Sequence, residues 1–471
     1  MKLNKNLNIF ILCHLIIWSL LPILLRPNLP MDSAEALVWG FAGEWGTNKH
    51  PPLSGFLADL IYSVCSHPAS VYVLSQILIA GAFVYIYRLA KLFLPENKSL
   101  IATLVLEGVA YYSLVTPEYN VNIIALLLWP AASFHFYKAT RHNRLTDWLL
   151  FGAFAGLNIL TKYVSGILFL CLGLYIIFTP KGRAQLKSWK LYLAVLVGVL
   201  VIAPHIYWLH QHDYYVLSYF AERSSGGKTL PFGLAHLIYP FKFIGAQVLT
   251  SLFALIILFT AYFKSPKKYI TTSKEDRDFV FFAGVMPLLV MTAISLVFGI
   301  KLKSMWGSPV MYMLGICFFV FLPFDDKKSF RPMLKACWAA LFLFAFAFVA
   351  QTMLTTSAKF KLNAKDFVAE IGGNNVQYVG GSVWLASIVG SYGLNNPSVL
   401  FFMSPETNPW IDMKDVKSKG ILVVDENLNS YNNYRNQYPK LPKAKTYVLK
   451  VKNMLGKEKE HNLYYGFITG E

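Results

Sequence analysis

Six clusters of lysine and arginine fall on alternate connections between long apolar segments, a pattern that orients helices in a bilayer and that no water-soluble core requires. The clusters are Lys2/Lys5, Arg88/Lys91/Lys98, Lys138/Arg141/Arg144, Lys181/Arg183/Lys187/Lys190, Lys264/Lys267/Lys268/Lys274/Arg277 and Lys327/Lys328/Arg331/Lys335. About 20 apolar residues cross the hydrocarbon, fewer where neighbouring helices shelter the ends, and eleven segments qualify: 8–25, 71–93, 99–115, 120–137, 148–160, 163–179, 191–209, 241–263, 279–300, 307–323 and 333–354. With all eleven as spans, every basic cluster lands on one side, which the excess of Lys and Arg marks as cytoplasmic. One missed or invented span would scramble that alternation. The shortest pair, 148–160 and 163–179, is equally compatible with a single broken helix.

The fold class expected is therefore a polytopic α-helical membrane protein with about eleven transmembrane helices. Composition agrees, at 55% hydrophobic and 14% charged residues. A net charge of +18 suggests nucleic acid in a soluble chain, but here the cations sit in short runs between spans and leave no phosphate-tracking face. Cys13, Cys65, Cys171, Cys317 and Cys337 are scattered without CxxC spacing, as small core residues are, which argues against a zinc site or a disulfide framework. Lys2 and Lys5 ahead of an apolar run resemble a signal peptide, yet no small-residue cleavage site precedes Arg26 and Pro27, so the first segment is expected to stay as an anchor.

Residues 1–354 form the expected membrane domain, with a first outer loop at 26–70, and residues 355–471 read differently. Their apolar runs have strand length, at 376–380, 398–402, 420–424 and 446–451, with helix-compatible stretches between, which predicts a small extracytoplasmic α/β domain. No internal repeat or low-complexity segment stands out.

Chemistry-capable residues gather on the outer side. In the stretch from Pro30 to Leu53, the acids Asp32, Glu35 and Glu44 alternate with Trp39, Phe41 and Trp45 at amphipathic spacing, as in a helix lying in the interface plane. An equally simple reading makes Asp32 an N-cap with Glu35 in capping-box spacing. Glu118 lies in a second outer turn, and the outer cations are Lys49, His50, Lys162, Lys301 and Lys303. Lys162, between LNILT and YVSGI, is costly at a membrane boundary unless it is paired, solvated or snorkelling. A sugar transferase at this depth needs a carboxylate to take a proton from the acceptor or to position it, and cations to offset charge on a departing phosphate. His205, His210 and His212 with Asp213 form a candidate metal cluster, but their spacing does not put all three imidazoles on one helical face, so a divalent metal is not indicated and no obligatory cofactor is expected. Gly226-Gly227-Lys228 lacks the rest of a phosphate loop.

These residues also carry a family resemblance. Asp32, Ala34, Trp39, Trp45 and His50-Pro51-Pro52 fall in the order and spacing of the first outer loop of protein O-mannosyltransferases and of the bacterial aminoarabinose transferases that modify lipid A. TPEYNVNIIALLLW at 116–129 resembles that superfamily's second acidic motif, with Glu118 in place of the usual aspartate. GLNILTKY at 156–163, Gln247 and KSMWGSP at 303–309 match further motifs in sequence order. The resemblance covers about residues 8–355 and implies the GT-C fold, a polyprenyl-phosphate sugar such as an undecaprenyl-linked one as donor, and an inverting hexosyl or pentosyl transfer at the outer face of a bacterial inner membrane. It implies Asp32, Glu118 and Glu35 as catalytic acids. Lys162, Tyr163, Lys301, Lys303, His50 and Lys49 would form the donor-phosphate site, with Trp39, Trp45, Gln247 and Trp306 lining the substrate. The superfamily commonly has Asp-Glu where this chain has Asp32-Ser33, and often an aspartate where it has Lys49. Those departures move the expected acceptor from protein hydroxyls toward lipid A or another envelope lipid or glycan. The alternatives are a protein O-glycosyltransferase and, from another class, a transporter or lipid flippase. A transporter places its ionisable residues near mid-membrane in paired repeats, whereas here they cluster at one face.

Overall fold

The computed structural model describes residues 4–214, 216, 232–264, 272–324 and 328–471. Gly226–Lys228, Lys2, Lys267, Lys268 and Lys327 lie outside them. The chain begins with α1 (Lys5–Leu25), opened by Asn4, whose side chain accepts the Asn6 backbone N–H at 2.8 Å. Leu7, Phe10, His14 and Trp18 form the buried stripe of α1, at three- and four-residue spacing. Leu12, Ile16, Leu20 and Leu24 on the other side are exposed, and a stripe of exposed leucine and isoleucine on a helix of 21 residues is a lipid-facing surface.

Next come α2 (Met31–Ala42), α3 (Leu53–Cys65), α4 (Ser70–Ala90), α5 (Glu96–Leu104), α6 (Val121–His142), α7 (Leu145–Thr161) and α8 (Gly166–Phe178). They are followed by α9 (Trp189–Gln211), α10 (Phe232–Thr250), α11 (Leu252–Lys264), α12 (Lys274–Phe298) and α13 (Phe330–Leu354). Small residues let α7 and α9 touch: a Cβ on Gly152 would sit 2.2 Å from the Ala194 carbonyl oxygen, so only glycine fits.

By length and apolarity, five helices among the described residues qualify as membrane spans (α1, α4, α9, α12 and α13), and two bent pairs raise the number to seven. The expectation of eleven regular spans is thus only partly met. The segment at 99–115 is not one helix: α5 stops at Leu104 and continues as short 3-10 turns, which bring the buried Glu107 carboxylate within 2.7 Å of His14 Nδ1. The segment at 241–263 bends by 71° at Ser251, between α10 and α11. The pair at 148–160 and 163–179 is two helices parted at Lys162, whose extended backbone ends α7. Sequence reading also passed over α3, because 13 residues are too few to cross a bilayer.

One end of the bundle collects the basic connections. Arg141 pairs with Glu275 and, at 2.5 Å, with Asp276; Lys98 Nζ donates to the Phe324 carbonyl at 3.3 Å; Lys190 Nζ donates to the Asn143 carbonyl at 2.7 Å. The other end carries α2, the 113–120 turn and the C-terminal domain. That domain is built on a five-stranded sheet of order β2-β1-β3-β5-β4. The strands β1 (Tyr378–Gly381), β2 (Ser398–Phe401) and β3 (Gly420–Asp425) are parallel, while β4 (Lys445–Lys452) and β5 (Glu458–Thr469) form an antiparallel pair joined to β3. β5 escaped sequence reading because its first half is charged and exposed. Between β1 and β2, α14 (Val383–Tyr392) packs directly on α2, and Ser391 Oγ donates to the Ala34 carbonyl at 3.2 Å.

Candidate functional site

The site is built on α2. Pro30 sets the entry and no side chain caps the helix, so Asp32 is a first-turn residue and the N-cap reading is corrected. The expectation of a helix lying on a surface is corrected as well: every residue from Ser33 to Gly40 is buried. The physical reason is that α14 covers the face that would otherwise meet water, while α3 covers another. Gly40 permits the second contact, since a Cβ there would lie 2.4 Å from the Gly55 carbonyl oxygen.

Thr47 folds the Thr47–His50 turn back toward α2. Its hydroxyl accepts the backbone N–H groups of Lys49 at 3.1 Å and His50 at 2.8 Å, and donates to the His50 carbonyl at 2.9 Å. Pro51 and Pro52 then lead straight into α3. The turn sends Lys49 Nζ to Glu35 Oε1 at 2.5 Å, a pair with side-chain exposures of 16% and 3%, and sets the His50 ring edge-on to Trp39 at 6.0 Å. Glu35 is therefore ion-paired with Lys49, a contact that a residue-by-residue reading of acids could not reveal.

On the far wall Lys162 is only 8% exposed and points inward. Its Nζ donates to Asn122 Oδ1 at 2.8 Å and lies 5.5 Å from the centre of the Trp306 ring. Asn122 is fixed by Asn120, the N-cap of α6, whose Oδ1 accepts both the backbone and the side-chain N–H of Asn122.

Together these groups enclose a cavity of about 130 Å³. Asp32, Glu35 and Trp39 line it from α2, Lys49, His50 and Ser54 from the loop and α3, and Asn122, Lys162, Met305 and Trp306 from the opposite side. Two buried polar atoms here, Trp39 Nε1 and Ser54 Oγ, find no hydrogen-bond partner among the described residues. Cations with unpartnered N–H and O–H groups around a small cavity suit the oxygens of an anion. Ser54, Asn120 and Asn122 were not picked out from sequence; their signal was proximity to the His-Pro-Pro turn and to Glu118.

Beside it lies a second, larger cavity of about 370 Å³, which shares Met31 with the first and is lined by Arg26, Glu118, Gln351 and Lys359 among apolar neighbours. Asp32 and Glu118 thus sit on adjacent cavities, so the expectation of one common cavity is corrected: the first turn of α2 stands between them. The Glu118 carboxylate accepts the backbone N–H of Asp32. Burial first, and the Asp32 charge second, push the Glu118 carboxyl up to about 7, against the pull of that N–H, Arg26 and Lys359.

The other residues drawn from sequence sit around these cavities. Tyr163 turns away, its hydroxyl 2.7 Å from His205 Nε2, and His205 Nδ1 lies 2.6 Å from the Trp45 carbonyl oxygen. Trp45 itself is 41% exposed and packs edge-on against Phe56. Gln247 is buried and donates to the Ser304 carbonyl at 2.9 Å, so it braces the turn that carries Trp306 instead of lining the cavity. Lys301 and Lys303 lie on the same connection but outside the lining of either cavity, because the Ser304–Trp306 3-10 turn directs Met305 and Trp306 inward in their place. Among the described residues no group of three or more His, Cys, Asp or Glu converges as metal ligands; His212 Nδ1 lies 2.8 Å from the Trp208 carbonyl oxygen, and His210 is exposed.

Comparison with known proteins meets this geometry. The sequence model of dolichyl-phosphate-mannose-protein mannosyltransferases matches residues 49–208, which takes in the His-Pro-Pro turn, Glu118 and Lys162. The lipopolysaccharide core galacturonosyltransferase RgtB of Rhizobium johnstonii is 20% identical over 304 residues, 62% of this chain and 60% of RgtB. RgtA of the same organism is 19% identical over 366 residues, 72% of this chain and 70% of RgtA. The chain therefore spans well under the full length of both relatives. Among solved structures, ArnT from Cupriavidus metallidurans bound to undecaprenyl phosphate superposes with a TM-score of 0.62 at 12% identity, over 98% of each chain. The Archaeoglobus fulgidus oligosaccharyltransferase in its apo form gives 0.51 at 10% identity, over 96% of this chain and 74% of that one. The chain thus shares the overall fold of these two structures over nearly all of its length, the C-terminal domain included.

Proposed function

We propose that this chain is a membrane glycosyltransferase that moves a sugar from a polyprenyl-phosphate donor to an envelope lipid or glycan on the extracytoplasmic side. The observation that carries the reading is the small cavity where Lys49, His50 and Lys162 surround the unpartnered Trp39 Nε1 and Ser54 Oγ, with Asp32 on its rim. In this reading the donor phosphate lies among those cations. The acceptor oxygen attacks the anomeric carbon, the bond from that carbon to the phosphate oxygen breaks with its electron pair going to the phosphate, and Asp32 takes the hydroxyl proton. One displacement inverts the anomeric configuration. The charge left on the polyprenyl phosphate is offset by Lys162 and Lys49, which are already held in place by Asn122 and Glu35. No nucleotide and no metal is needed in this scheme.

The RgtB and RgtA matches favour an envelope glycan as acceptor, and the mannosyltransferase sequence model supports a protein hydroxyl as the second reading. The donor site is tested with purified protein in lipid nanodiscs by binding of undecaprenyl phosphate. Saturable binding to the parent, weakened by Lys162→Met in a variant that retains its thermal stability, is the expected result. Equal binding by the two proteins would reject the site. The acceptor is decided by mass spectrometry of lipopolysaccharide and of periplasmic proteins from a deletion strain.

A further inference from the structure

The donor reading accounts for the small cavity and leaves the larger one without a task. We propose that the cavity lined by Arg26, Glu118 and Lys359 is the acceptor subsite, and that it selects acceptors carrying an anionic group, a phosphate or a sugar carboxylate, near the hydroxyl that is glycosylated. The inference rests on the donor assignment above and adds the acceptor's chemistry to it.

Position is the first argument. The two cavities meet at Met31 and flank the first turn of α2, so groups bound on either side approach each other across Asp32. Size is the second. At about 370 Å³ against about 130 Å³, the larger cavity has the volume of a small-ligand site, and its Leu114, Val115, Pro117 and Phe360 walls offer apolar surface to a sugar ring or acyl stem.

Charge is the third argument. Arg26 and Lys359 supply two cations against the single carboxyl of Glu118. Arg26 is no loose surface anchor: its guanidinium lies 4.4 Å from the ring centres of both Phe348 and Phe360, which clamp the plane from two elements, α13 and the segment after it. Its buried Nε finds no hydrogen-bond partner among the described residues. A guanidinium fixed in this way is preorganised for a bidentate oxyanion. Lys359 is exposed on the rim, 5.7 Å from the Trp384 ring, placed to meet the same anion from the C-terminal domain. Arg26 also ends α1, beside the lipid-facing Leu24, which sets the cavity at headgroup depth. Tyr72 and Glu118 are the groups that already face Arg26, and one carboxyl cannot balance both cations, so a neutral acceptor would leave positive charge in excess in a desolvated cavity, a penalty that is a means of selection.

The test is glycolipid binding to the full-length protein in nanodiscs, with three probes: lipid A carrying its phosphates, the same lipid stripped of phosphate, and a phosphate-free glycolipid ending in a uronic acid. The expected result is that the parent prefers at least one anionic probe over the stripped lipid by about tenfold or more. Preference for the phosphorylated probe alone identifies a phosphate, and for the uronic acid probe alone a carboxylate. Arg26→Gln and Lys359→Gln should each erode the preference, while Arg26→Lys should keep part of it. Lys359 is exposed, so its variant reports even where Arg26→Gln folds poorly. Undecaprenyl phosphate binding should be unchanged in both glutamine variants. The proposal is overturned if the parent shows no preference, if both variants keep it, or if Arg26→Gln loses undecaprenyl phosphate as Lys162→Met does, since the cavity would then belong to the donor. A Lys162→Met protein that binds undecaprenyl phosphate normally while the anion preference still follows Arg26 would remove the donor assignment alone.

Discussion

Lys162 and Asn122, 40 residues apart in sequence, meet inside the protein through a 2.8 Å hydrogen bond from Nζ to Oδ1. The bond aims the ammonium across the small cavity, and Asn120 in turn fixes Asn122 by capping α6. Asn122→Ala should lower kcat/KM for the donor roughly tenfold, with a raised donor KM as part of the change because Lys162 both holds the phosphate and offsets the charge it gains, as expected for loss of one hydrogen bond to a charged group, about 1.5–3 kcal/mol. Steady-state kinetics against donor concentration check this. A fall confined to kcat would mean that Lys162 acts in the transition state and not in donor binding.

Among the carboxylates, the amide series Asp32→Asn, Glu118→Gln and Glu35→Gln removes charge with little change in shape. Transfer should fall most for Asp32→Asn, on the order of a hundredfold if it takes the acceptor proton. Glu118→Gln should come second. Glu35→Gln should act through Lys49, by weakening the 2.5 Å pair, and so change donor KM more than kcat. Turnover measured at matched membrane expression decides, and an Asp32→Asn protein with parental turnover would discard the mechanism.

Glu118 gives a pH dependence with a definite sign. Its carboxyl is raised to about 7, and the charged or titratable groups facing it are Asp32 from α2, Arg26 from the end of α1, Lys359 from the C-terminal domain and Tyr72 from α4. Below about 7 the group is protonated and the two cations are unopposed; above it the carboxylate offsets one of them. Affinity for the anionic acceptor should therefore fall as pH rises through about 7, and Glu118→Gln should flatten that profile near its acid limit. For stability the direction is the same. A carboxyl whose folded pKa lies above its unfolded value is easiest to accommodate at low pH, so its contribution is lost between the ordinary value of 4.5 and about 7. Thermal denaturation of the Glu118→Gln protein should show a smaller loss over that interval than the parent.

The two ends of the bundle should face opposite compartments. In a background with the native cysteines replaced, a cysteine at Lys98, Arg144 or Lys187 should resist an impermeant maleimide added to intact cells, while a cysteine in the tail after 355 should react. Labelling of Lys187→Cys from outside, with the tail protected, would reverse the orientation. The test applies equally to Lys268, which lies outside the described residues.

Local patterns in a sequence report periodicity and motif, and here they made several long apolar helices, four strands and the cavity-lining Asp32, Glu35, Lys49, His50, Glu118 and Lys162 legible. The apolar segments are long because lipid offers no hydrogen bonds, and the basic clusters alternate because charge sets topology, so both survive in the one-dimensional record. What the sequence did not contain is which side chains meet. Glu35 reads as a spare acid until the Thr47 turn brings Lys49 to it. The α2 helix has the spacing of an interfacial helix, and only α14, about 350 residues further along the chain, buries it through Ser391 and Gly390. Arg26 and Lys359 are 333 positions apart and share one cavity because α13 returns the chain to the outer end of α1. Helix breaks at Leu104 and Ser251 were hidden for the same reason: each falls inside a long, mostly apolar run, and packing against other helices decides where the backbone bends. Composition sets the solvent in which each segment must live and tertiary packing sets its neighbours, because burial in lipid depends on local apolarity while a cavity depends on contacts between distant residues.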